Sequence, residues 1–309
     1  MRPTLRDQTL TRNDQVVTLN PGRTTYRPRM TNQAFRDLGR DFFDHAELKR
    51  RWNVTEDIPW SEVKLRAVDE DLVDILEAFY CTEMYLPDYT ARLLHLNRQN
   101  QGIAWFITNW GYEESKHSRV IEEWLVRSGR RTPQHMERLN EELLAGQWKL
   151  PFETSRQMLV YTLLQELATQ LSYINLSKLT APAGDGALQR MLLLIAGDEG
   201  SHHRMFASCL KVHLASDRAG TLCDIAHVVQ NFEMPAHDVI PDWARRGALI
   251  ERHQVFGARA FVRRVMLPAL EHIGVDRREL SRDGDQGHAE PPHTSQLAVP
   301  TAPASWFSS

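Results

Sequence analysis

The chain has 309 residues, of which 42% are hydrophobic and 25% charged, with a formal net charge of −3, the make-up of a globular protein long enough to bury a large core. That charge gives no general attraction to nucleic acid, and no basic stripe interleaved with aromatic residues is present, so nucleic acid is not an expected partner. No apolar run approaches the roughly 18 to 20 residues that cross a bilayer, and the polar start Met1 to Asn13 lacks the apolar stretch of a signal peptide, so the expectation is a cytoplasmic protein with no membrane span.

Residues 1–30 are polar, with Pro21, Gly22 and Pro28, and read as an irregular arm. From Thr31 to about Arg51 the apolar residues Phe35, Leu38, Phe42, Phe43 and Leu48 recur at helical spacing, and Ile58, Pro59 and Trp60 mark a turn. Ser61 to about Leu96 is helical by the period of Leu72, Val73, Leu76, Phe79 and Tyr80, with Pro87 predicting a kink or break. Gln99 to Ser128 is the next helix, stopped by Gly129 with Arg127, Arg130 and Arg131 near its negative end. Pro133 to Ala145 is a shorter helix, Glu153 to Leu179 a long one, and Ala181 to Gly186 the turn into another that runs to about Ala215. Asp217 to Phe232 is again helical, and Asp242 to about Ile273 holds one or two more. No strand alternation of useful length occurs, and beyond Ser281 the Gly, Pro, Ser and Thr content predicts disorder. The expected architecture is all-α: an arm (1–30), one helical domain (31–280) and a tail (281–309).

Chemistry concentrates in two Glu-x-x-His pairs, Glu114/His117 and Glu199/His202. Each lies on a long helix and is preceded, 31 and 33 residues upstream, by a helical glutamate, Glu83 and Glu166. Residues at i and i+3 share a helix face one turn apart, so such a pair can reach a common metal ion. With a glutamate from each of two further helices, the set becomes four carboxylates and two imidazoles, the constellation of ferritin-like di-iron carboxylate bundles. Four carboxylates neutralise two divalent ions, and a neutral cluster is far cheaper to bury than four unpaired acids. The cofactor expected is therefore two Fe ions in a four-helix bundle. A third pair, Glu290/His293, has the same spacing, but Pro291 and Pro292 rule out a helix there. Cys81, Cys209 and Cys223 show no ligand spacing and read as reduced thiols.

These residues resemble a known family, the soluble acyl-acyl-carrier-protein desaturases of plant plastids and actinobacteria. Thr82-Glu83 followed by Leu86-Pro87 is similar to the family's first ligand helix, and Glu113-Glu114-Ser115-Lys116-His117 to its Glu-Glu-x-x-His box. Gln165-Glu166-Leu167-Ala168-Thr169, Asp198-Glu199-Gly200-Ser201-His202 and Met234-Pro235-Ala236-His237 resemble its second half, so the likeness covers about residues 35–275. The resemblance implies a ferritin-like homodimer that removes two hydrogens from an acyl chain held as a thioester on acyl carrier protein, with molecular oxygen and a ferredoxin-type electron donor. It also implies roles around the metal ligands: Asp198 and Trp52 as a link from His117 towards the surface, and Thr169 as the threonine on the oxygen side. The plain alternatives are a hydroxyl bonded back to its own helix for Thr169 and a packing aromatic for Trp52.

The chain departs from the family pattern in a shorter segment before the Glu-Glu-x-x-His box and in Gly200, since glycine weakens a helix interior. An acyl tunnel needs apolar walls; Trp105, Phe106, Leu171, Met205 and Phe206 lie on suitable helices but read first as core. Acyl carrier protein is acidic, and Arg245, Arg246, Arg252, Arg259, Arg263 and Arg264 form a basic C-terminal stretch that could steer it. A di-iron oxygenase (hydroxylase or N-oxygenase) would share every metal ligand. The arylamine oxygenases fit less well, because Ile195 stands where they carry an extra His, and a radical-storing reductase subunit wants a Tyr where Ile121 stands. Iron storage leaves the segment Met234 to His237 without a use, and membrane-bound desaturases need spans and histidine-rich boxes that are missing.

Overall fold

Short polar side chains start the helices. Asp69, Asn100, Thr132, Thr154, Asp185 and Asp217 each accept a hydrogen bond from a backbone N–H in the first turn that follows, the groups a helix leaves without intrahelical partners. The computed structural model describes residues 28–235 and 237–283. The expected arm (1–30) and tail (281–309) lie outside them except for three residues each, and Glu290/His293 lies outside them altogether.

The first helix, α1 (Pro28–His45), runs on through a π-helical turn, Ala46–Arg50. The helix expected over Ser61 to Leu96 needs correction. Residues 61–69 form only a short 3-10 turn, Trp60–Glu62, and irregular chain; α2 (Glu70–Glu83) begins after its cap Asp69. The break expected at Pro87 is real: α3 (Leu86–Asn97) is a separate helix with that proline in its first turn, where no N–H is needed. Then follow α4 (Gln101–Arg127), α5 (Pro133–Ala145), α6 (Ser155–Thr180), α7 (Gly186–Ser216) and α8 (Arg218–Gln230). The C-terminal part comprises α9 (Trp243–Arg252), the single turn α10 (Ala258–Ala260), a π-helical segment Phe261–Met266, α11 (Leu267–Ile273) and α12 (Arg277–Asp283). No strand occurs among the described residues.

Four helices close a ring. α2 packs on α4, α4 on α7, α7 along the length of α6, and α6 back on α2. Around this bundle α1 crosses α4, α8 leans on α6 and α7, and α9 covers α2. The crossing of α1 over α4 depends on Gly102, where a Cβ would meet the carbonyl carbon and oxygen of Phe35 at 2.2 Å. Between the helices the core is aromatic and aliphatic, with Trp110, Trp124, Tyr80, Tyr161, Tyr173, Phe106 and Phe206 fully buried. No described helix is long and apolar enough to cross a membrane.

Candidate metal centre

The ring of helices turns all six expected ligands inward. Two overlapping groups have ligand atoms within 4.8 Å of one another: Glu83, Glu114, His117 and Glu199, and Glu114, Glu166, Glu199 and His202. Glu114 and Glu199 belong to both, so the geometry is two adjacent four-ligand positions sharing two carboxylates. Each imidazole points Nδ1 into the cluster. His117 Nδ1 is 3.6 Å from both Glu114 and Glu199 and 3.9 Å from Glu83; His202 Nδ1 is 2.9 Å from Glu114 and 3.2 Å from Glu166.

All six side chains are buried, and four of their inward atoms lack any hydrogen-bond partner: Glu114 Oε1, His117 Nδ1, Glu166 Oε1 and Glu199 Oε2. Glu114 Oε1, although close to His202, is not aligned for a hydrogen bond. Burial, reinforced by the neighbouring Glu114 carboxylate, pushes the Glu83 and Glu199 carboxyls well above the ordinary carboxylate range, and burial also raises Glu166. Burial would raise Glu114 too, but His117 and His202 on either side hold it down to about 2. Four converging acids, three of them with an orphaned oxygen, and two inward imidazole nitrogens are strongly frustrated by themselves; cations between them relieve that frustration. The donor set fits a pair of metal ions.

The outer nitrogens of the imidazoles meet a second ring of charges. His117 Nε2 lies 3.5 Å from Asp198, and His202 Nε2 lies 2.8 Å from Glu113. Arg50 joins the two acids, donating to Asp198 at 2.8 Å and to Glu113 at 2.9 Å, and Arg51 donates to Glu113 at 2.7 Å. Burial opposes ionisation of Asp198, yet its hydrogen bond to His117 and the charges of His117 and Lys116 hold it well below the usual carboxylate range. Such partners fix the ring orientation and leave Nδ1 free to coordinate.

Trp52 is buried and donates its indole N–H to Asp198 at 2.7 Å, and its ring lies parallel to His117 with centroids 6.5 Å apart. Thr169 is less straightforward. Its hydroxyl donates back to the carbonyls of Gln165 and Glu166 at 3.1 and 3.0 Å, the plain alternative, while the residue lines the cavity that reaches Glu83.

Sequence reasoning gave no role to Tyr173, whose hydroxyl donates to Glu83 Oε1 at 2.7 Å, nor to the Arg50 clamp, nor to Glu113 as the partner of His202. A signal for Glu113 was present: an acid stands immediately before Glu114 as Asp198 stands before Glu199. Gly200 has a packing reason. A Cβ there would meet the Gln170 amide at 2.2 Å, where that amide donates from α6 to the Ala196 carbonyl of α7.

A cavity of about 320 Å³ runs from a surface rim at Glu251, Gly257 and Ala258 to Glu83 and Thr169, between walls that include Phe79, Tyr173, Met234, Trp243, Ile250 and Phe256. None of the five residues considered for an acyl tunnel lines it. Phe106, Leu171, Met205 and Phe206 are buried core, whereas Trp105 is 69% exposed, because the face of α4 that carries it points away from the bundle. The six C-terminal arginines divide. Arg245 pairs with Asp74, Arg246 with Glu77 and Arg252 with Asp71, all tying α9 to α2. Arg259, Arg263 and Arg264 are exposed, with no ion pair among the described residues, and Arg259 directly follows the rim residue Ala258 in the chain.

Comparison with known proteins adds the family. The profile of the fatty acid desaturase family matches residues 41–289. Stearoyl-[acyl-carrier-protein] 9-desaturase 2 of Arabidopsis thaliana, a chloroplastic protein, is 27% identical over 183 residues, which cover 56% of this chain and 44% of that protein. A Mycobacterium tuberculosis protein named as an acyl-[acyl-carrier-protein] desaturase, DesA1, is 24% identical over 258 residues, 76% of this chain and 75% of its own. The match thus spans less than half of the plant protein. Among solved structures, that of M. tuberculosis DesA2 superposes with a TM-score of 0.59 at 17% identity over 82% of this chain and 99% of the other, a likeness of fold.

Proposed function

The chain belongs to the fatty acid desaturase family, and from that premise we propose that it desaturates an acyl chain carried as a thioester on acyl carrier protein. One observation carries this reading: two four-ligand positions that share Glu114 and Glu199 at the inner end of a largely apolar cavity. Glu83 and His117 would complete one position, Glu166 and His202 the other. Two iron ions held there supply the oxygen chemistry needed to remove hydrogen from an unactivated methylene, and oxygen-rich donors suit iron in its higher oxidation states.

The protein's own groups do the rest. The cavity walls align the chain and exclude water from the reacting carbons. Tyr173 holds Glu83 in place through its 2.7 Å hydrogen bond. Asp198 and Glu113 hold the imidazoles, and Trp52 with Asp198 gives electrons from a ferredoxin-type donor a short path to His117. No residue of that path lines the cavity, so the electron route and the substrate route stay separate. Outside, exposed Arg259 beside the rim, with exposed Arg263 and Arg264 in the segment that follows, would attract an acidic carrier protein. Exposed Trp105 and Tyr112 on α4 are the surface on which two copies would pair as a homodimer.

Incubating the iron-loaded, reduced protein with a panel of acyl-carrier-protein thioesters is expected to give products two mass units lighter. Products sixteen units heavier would replace desaturation with oxygenation on the same metal centre.

A further inference from the structure

Two cavities adjoin at the metal centre, and their sizes differ more than tenfold. The outer one, about 320 Å³, opens to the surface; the inner one, about 20 Å³, lies beyond Glu83. Thr82, Glu83, Thr169 and Pro235 line both, so the seam between them is the place where a bound chain passes the proposed ligands. A cavity of roughly 150 Å³ holds a benzene ring and one of roughly 10–15 Å³ a single water. By that scale the outer chamber takes on the order of ten carbons, and the inner one about a single methyl-sized group.

The inner chamber is small because aromatic rings close it. Tyr89 packs on Trp110 with centroids 5.1 Å apart and on Trp148 at 6.3 Å, and Trp148 packs on Tyr161 at 6.3 Å. Two of these residues are also anchored: the Tyr161 hydroxyl donates to the Glu233 carbonyl at 3.1 Å, and the Trp148 backbone N–H donates to Asp88 at 3.0 Å. Moving one ring outward therefore disturbs its neighbours in a close-packed core.

We propose that the acyl chain enters methyl end first and stops on this aromatic floor, so that the carbons oxidised lie within about two of the methyl terminus. The inference rests on the desaturase reading above and deepens it. The substrate is a saturated acyl thioester of on the order of ten carbons, and the product carries a terminal or next-to-terminal double bond. The carrier is far too large for the cavity and stays at the rim. In the reaction, two neighbouring carbons lose one hydrogen each and gain a second bond between them. One molecule of oxygen takes up those two hydrogens together with two electrons from the ferredoxin-type donor and two protons, leaving as two waters.

The test uses the full chain and a series of acyl-carrier-protein thioesters of about eight to eighteen carbons. Affinity, read without reductant by anisotropy of labelled carrier protein, is expected to rise about fourfold per added methylene until the outer chamber is full, and then to fall. In turnover, the bond located by mass spectrometry of disulfide adducts keeps a constant count from the methyl end as the chain lengthens. Trp148→Ala, in the segment between α5 and α6, is expected to move the bond inward and shift the optimum to longer chains; Met158→Ala opens the same floor from α6. Affinity that climbs without a break through the longest chains, or a bond with a tail of four or more carbons beyond it, overturns the proposal. An affinity optimum at medium length with oxygenated products, or with none, would keep the depth limit and discard desaturation.

Discussion

Glu114 and Glu199 differ from the other proposed ligands in being shared between the two positions. Glu114→Ala and Glu199→Ala are each expected to empty both positions, whereas Glu83→Ala and Glu166→Ala should each keep about one iron per chain, read by elemental analysis of reduced, iron-loaded protein. Asp198 acts one layer out, accepting from Trp52 and facing the outer nitrogen of His117. Asp198→Asn removes the negative charge while keeping the shape, so turnover should fall about 10–100-fold with most of the iron retained. Four of the six candidate ligands were legible in the sequence because Glu-x-x-His is a local pattern, residues one turn apart facing the same way wherever the helix goes, and Glu83 and Glu166 were legible as the matching glutamates 31 and 33 residues upstream of the two pairs. Tyr173 and Arg50 were not, since each reaches its acid across a separation of 63 residues or more, which no periodicity encodes.

For the helices, the α5 boundaries were readable from local chemistry, and Pro87 marked the break between α2 and α3. The stretch 61–69 was not, since its residues continue a plausible helical period and only the capping of α2 by Asp69 decides where the helix starts. Close approach is likewise invisible in one dimension. Gly102 sits where a Cβ would strike the backbone of α1, and Gly197 on α7 has nothing within 4 Å of that point. Gly102→Ala should therefore cost about 1–3 kcal/mol through overpacking, while Gly197→Ala should add about 0.5–1 kcal/mol from helix propensity. Thermal melts of the two variants measure the difference.

Stability belongs to the whole bundle, and two of its controls can be read from buried groups. His213 packs against Phe35, and its Nε2 has no hydrogen-bond partner. Burial, helped by the Arg156 charge, pushes its pKa down to about 4 from an ordinary 6.5. Between these values the unfolded chain binds the proton more readily than the folded one. Stability is therefore full above about pH 6.5 and declines by about 3 kcal/mol as pH falls through 4. Denaturant titrations across that range should show the slope, and His213→Leu should flatten it. The metal centre acts in the same way through mass action: added ferrous iron should raise Tm with concentration and a chelator should reverse it, because ions that bind only the folded arrangement of four acids stabilise it.

By itself the sequence determined an all-helical chain and six candidate ligands in two matching halves, because helix period and i to i+3 spacing are local properties of the backbone. Only the tertiary structure decided that Glu114 and Glu199 stand between both positions, that Arg245, Arg246 and Arg252 pair with acids of α2, that Trp105 faces solvent, and that the cavity ends on Tyr89, Trp148 and Tyr161. Each of these depends on how segments distant in the chain cross and pack, and in a close-packed interior that choice is made by the shapes of all the contacting side chains together.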